Sequence, residues 1–67
     1  MPDPGSTLAE LSTLTARLDE LTKRVTDLAE AYRTTPDSRI SSALFAAERS
    51  LHAAGRALER ATEQVRA

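Results

Sequence analysis

Glu48 and His52 stand four residues apart, a spacing that sets two side chains on one face of a helix and could offer two ligands to one metal ion. Two are too few, because catalytic zinc sites take three protein ligands. A surface ion pair is the expected role. Arg49, Arg56 and Arg60 form a modest basic patch with His52. Glu48, Glu59 and Glu63 are interleaved with it, so a solvated face with ion pairs along the helix is expected. No aromatic platform for nucleobases accompanies these arginines. Serines and threonines are plentiful, but no spacing groups a nucleophile with a base and an orienting residue. There is no glycine-rich phosphate loop and no dinucleotide fingerprint. Cysteine is absent, which removes disulfides and thiolate zinc sites together. The sequence therefore predicts no enzyme, no metal, no cofactor and no small-molecule substrate.

Composition narrows the classes further. The chain has 67 residues with 10 acidic and 9 basic side chains, for a net charge of −1. Residues 7–33 carry five acids and four bases, and residues 36–67 carry four acids and five bases, so neither half is a basic arm. That disfavours nucleic acid as the partner. The longest apolar run, residues 43–47, is far too short to span a bilayer. The first six residues hold neither a basic nor an apolar segment, and a cytoplasmic protein is expected. Sixty-seven residues without a covalent or metal staple build only a marginal core, and oligomerisation is the natural remedy.

Apolar spacing predicts the elements. Residues 1–6 hold two prolines, a glycine and a serine and are expected as a disordered tail. Thr7 and Glu10 fit a capping box at the start of a first helix over about 7–33. In that helix Leu11, Leu14, Leu18, Leu21, Val25, Leu28 and Tyr32 alternate steps of three and four, a coiled-coil seam. Asp19–Lys23, Glu20–Arg24 and Lys23–Asp27 are candidate ion pairs on its outer side. Pro36 breaks the pattern after Thr34 and Thr35, so a turn is expected at 34–35, with Thr35 as the cap of a second helix over about 36–65. The second seam is Ile40, Leu44, Ala47, Leu51, Ala54, Leu58, Ala61 and Val65. Large residues alternate with small ones, which complements the bulkier first helix. The short turn makes the helices antiparallel neighbours, with Leu18 near Ala54 and Leu21 near Leu51. The predicted fold over 7–67 is all-α: an antiparallel two-helix coiled-coil hairpin that dimerises into a four-helix bundle.

Two surfaces remain for partners. Ala43, Ala46, Ser50, Ala53 and Ala57 form a row of small residues beside the second seam, and Leu8, Thr15, Thr22 and Ala29 form a milder flank on the first helix. Phe45 falls on the outward side of the second helix with Arg49, His52 and Arg56, a composition found at interface hot spots. It is expected there as oligomer core, as the anchor for another protein, or as an incidentally exposed ring. Gly55 marks either a close helix approach or tolerated drift. The expected function is that of a small non-catalytic interaction module or adaptor, pairing with itself and with another protein. The alternatives are a transcription regulator of anti-sigma or antitoxin type acting by protein contact, a weak nucleic-acid or anion binder using the second-helix arginines, and a structural subunit of a larger assembly.

Overall fold

Asp3, Pro4 and the two residues after them start the first helix. The Ser6 N–H donates to Asp3 Oδ2 at 3.0 Å, and the Thr7 N–H donates to the Asp3 carbonyl at 2.9 Å. Pro4 occupies the first helical position, where its fixed φ suits the helix and its missing N–H costs nothing. The computed structural model describes residues 1–67, and in it helix α1 runs over Pro4–Arg33. The capping box expected at Thr7 and Glu10 does not form, and residues 4–6 are helical rather than part of a tail. Asp3 before Pro4 is the stronger start signal, because a carboxylate accepts from the free N–H groups and also faces the positive end of the helix dipole.

Thr35 ends α1 instead of starting the second helix. Its N–H and its hydroxyl both donate to the Tyr32 carbonyl, at 3.1 and 2.7 Å. Pro36 lies in the turn, and Asp37 caps helix α2, Ser38–Arg66, by accepting from the Arg39 N–H at 3.1 Å. The second helix thus begins two residues later than the position of Pro36 implied. With a four-residue turn the helices fold back on each other as an antiparallel hairpin, with no strand, in a rod 52 Å long and 15 Å across.

The register of the two helices is fixed by three contacts. Ser41 Oγ donates to the Ala29 carbonyl at 3.1 Å. The Thr26 hydroxyl reaches the Glu48 carboxylate. Gly55 lies against the methyls of Leu18. These pairs lie within two residues of the register that places Leu18 near Ala54. The rotation of the helices about their own axes is different from the expected one. Leu11, Leu18 and Val25 of α1 and Leu44, Leu51, Leu58, Ala61 and Val65 of α2 are half-buried. Beside them the contact uses Thr15, Thr22 and Ala29 on α1 and Ser41, Glu48, Gly55 and Thr62 on α2, each set repeating every seven residues. The expected seam residues Leu14, Leu21, Leu28, Tyr32, Ile40, Ala47 and Ala54 are exposed. The flank of α1 foreseen as a possible dimer contact is thus the intramolecular one.

Small side chains explain the rotation. Ala29 is fully buried, and Ser41 and Thr22 are the other two buried residues. Where small faces small, the backbones come close enough for a serine hydroxyl to reach a main-chain carbonyl across the gap. The threonines in the contact satisfy themselves locally: Thr22 Oγ1 donates to the Leu18 carbonyl at 2.7 Å and Thr62 Oγ1 to the Leu58 carbonyl at 2.9 Å. No buried side-chain polar atom is left without a partner.

Two outcomes follow for equilibrium unfolding in urea. Asp37→Ala removes the cap of α2 and lowers stability by about 1 kcal/mol. Ala29→Leu overfills the closest approach and lowers it by about 1–3 kcal/mol. An unchanged midpoint for Ala29→Leu contradicts the close contact.

Candidate interaction face

Turning the small residues inward turns the leucines outward. Leu14, Leu21 and Leu28 are 41%, 49% and 52% exposed, one on every second turn of α1, and Tyr32 and Ile40 extend the stripe toward the turn. A groove runs between this stripe and α2, lined by Leu14, Leu18 and Leu21 on one side and by Ala54, Ala57 and Leu58 on the other. Arg17 is the one charged residue in its lining. The face is unequal across its width, with large side chains on α1 and small ones on α2. Ala43, Ala47, Ser50, Ala54 and Ala57 are all exposed, and Ala46 and Ala53 are exposed beside them.

The opposite side of the rod is polar. Asp19, Lys23, His52, Arg56 and Glu59 line a groove over Gly55, and Ser12, Glu63 and Arg66 continue it along the helices. Charges of both signs alternate there. The ion pairs expected along the helices are not closed: the two present are Arg33–Glu30 at 3.3 Å and Arg39–Asp37 at 3.2 Å, both on exposed side chains. Pairs of that kind are worth about 0–1 kcal/mol.

Glu48 does not pair with His52. Its carboxylate accepts from the Thr26 hydroxyl, which also lies 2.9 Å from the Thr22 carbonyl. The one hydroxyl proton serves one of these acceptors at a time. His52 is exposed, as are Arg49, Arg56 and Arg60. Phe45 is half-buried, in line with Ser41, Leu44 and Glu48, and does not stand outward with the arginines. No three His, Asp or Glu side chains converge on a point where a metal ion could sit.

Gly55 leaves room. A Cβ built there would meet Leu18 Cδ2 at 3.7 Å, an ordinary van der Waals distance, so the helix approach does not demand glycine. The exposed leucines were within reach of sequence reasoning. A strict heptad leaves open which neighbour of the central row faces the partner, and Thr15, Thr22 and Ala29 beside Ser41 and Gly55 were the sign that closeness would decide it.

No family model matches the chain, and no curated protein and no solved structure matches it. No helix is long and apolar enough to cross a membrane.

Gly55→Ala raises stability by about 0.5–1 kcal/mol through helix propensity alone, measured as the shift of the thermal or urea midpoint. A loss of stability indicates a tighter contact at Leu18.

Proposed function

We propose that the chain is a small, non-catalytic protein–protein interaction module that works through its leucine–alanine face and pairs with a second copy as a homodimeric four-helix bundle. The observation that carries this reading is the exposure of Leu14, Leu21 and Leu28 on one face of the hairpin. Three large aliphatic side chains aligned along one face, two of them lining a groove, form an apolar patch of the kind that marks an interface.

Area supports a partner of this size. A compact folded chain of 7.3 kDa exposes about 4,200 Å². This one exposes 5191 Å². An elongated surface of this size leaves room for the ~800 Å² that each partner contributes to a standard-size interface. A face 52 Å long on a rod 15 Å wide supplies about that much. A second copy brings an equal face of matching length, and twofold pairing closes the assembly.

Sedimentation equilibrium at tens of micromolar tests the reading. The expected mass is twice that of the chain. Leu21→Glu puts a carboxylate into the middle of the face and weakens pairing by about 3 kcal/mol, roughly a hundredfold in Kd. Circular dichroism of the same variant separates loss of pairing from loss of helix. A folded wild-type monomer at that concentration overturns the proposal.

A further inference from the structure

Resting on that reading, we infer that the two copies pair with their turns at the same end of the bundle, α1 of each lying over α2 of the other. Two twofold arrangements bring the leucine faces together. A twofold axis along the rod sets α1 on the partner's α2. An axis across the rod sets α1 on the partner's α1 and α2 on the partner's α2, with the turns at opposite ends.

Side-chain size separates the two. The distance between packed helices follows the residues at the contact, over about 8–10 Å. In the crossed arrangement the leucine row of α1 meets the partner's leucine row, while the alanine row of α2, Ala47 and Ala54 among it, meets the partner's alanine row. One pair of helices is held far apart and the other needs to be close, which two flat-facing hairpins cannot satisfy together. In the lengthwise arrangement each leucine row faces an alanine row, and both contacts take the same spacing.

Charge at the edge of the face points the same way. Arg17 and Arg24 follow Leu14 and Leu21 by three residues each and are exposed. Pairing α1 antiparallel on α1 about Leu21 brings Arg17 level with Arg24 of the partner subunit, twice over, and like charges repel. Rotation about the rod axis leaves every residue at its own height, so the register within one chain is also the register between chains. Thr26 is level with Glu48, and Leu18 with Gly55. Arg17 then lies level with the Ala54–Ala57 stretch across the interface, where its stem covers alanine and its guanidinium reaches water.

Spin labels test the orientation, because the chain holds no cysteine to confuse the attachment. Thr34→Cys places a label in the turn, and Glu20→Cys places one at mid-length away from the leucine face; both positions are exposed. Dipolar electron resonance on each labelled protein gives the distance between copies. For Thr34→Cys the expected distance is within about 30 Å, the width of two helices and two labels. A distance of about 40 Å or more, which pairing about Leu21 gives from thirteen residues of helix on either side of the axis, overturns the orientation. The Glu20→Cys label sits near the middle of the rod and gives a measurable distance in either arrangement. If that label shows no partner either, the homodimer itself is overturned.

Discussion

Ser41 reaches the Ala29 carbonyl because neither helix carries a larger side chain where the two come closest. That contact lies just beyond the turn, and the rest of the hairpin takes its rotation from it. Once Ala29 faces Ser41, the same helix sides bring Thr22 and Thr15 inward on α1 and Glu48, Gly55 and Thr62 inward on α2. The leucines one position away then have nowhere to go but outward. A serine-to-carbonyl bond is worth only about 1 kcal/mol net. Its influence comes from geometry, since backbones this close at the turn favour small residues at Ala29, Thr22, Ser41 and Gly55 along the contact.

A contact of this kind is polar for its depth, and the threonines make that affordable in hydrogen-bond terms. Thr22 and Thr62 turn their hydroxyls back onto their own helices, so their methyl groups face the neighbouring helix with no orphaned donor. Thr26 spends its proton on Glu48 or on the Thr22 carbonyl, and the carboxylate that sits half-buried is thereby solvated by protein. What the hairpin does not do is bury much hydrocarbon: Ala29 is its single fully buried apolar residue. Leu14, Leu21 and Leu28, which would join a core in a larger domain, lie on the surface.

Much of the fold was legible in the residues. Apolar steps of three and four implied two helices, Pro36 marked the break between them, and the pairing of Leu18 with the Ala54–Gly55 region followed from a short turn. The helix ends were legible in kind but not in detail. Asp3-Pro4 carries the same punctuation as the Thr35-Pro36 pair used to place the turn, while Thr35 itself turned back to close α1. The rotation was the least legible feature. Leu14 and Thr15 are neighbours about 100° apart on the helix, so moving the contact from one to the other takes a turn of only about half that angle. Heptad counting favours the leucine because it is apolar. Packing favours the threonine because it is small, and because Ser41, Glu48, Gly55 and Thr62 repeat on the same spacing opposite it. Phe45 followed the same rotation and moved from the outer surface to the margin of the contact.

The two long sides of the rod differ in chemistry and are separated by the helix contact. Leu14, Leu21 and Ala54 line one groove, and Asp19, Lys23, His52, Arg56 and Glu59 line the other, on the far side. Occupation of the first does not obstruct the second. In a twofold pair closed through the leucines, the charged grooves of the two copies face opposite ways. Both broad outer sides of such a pair would then carry charges of both signs, and its apolar side chains would be confined to the layer between the copies.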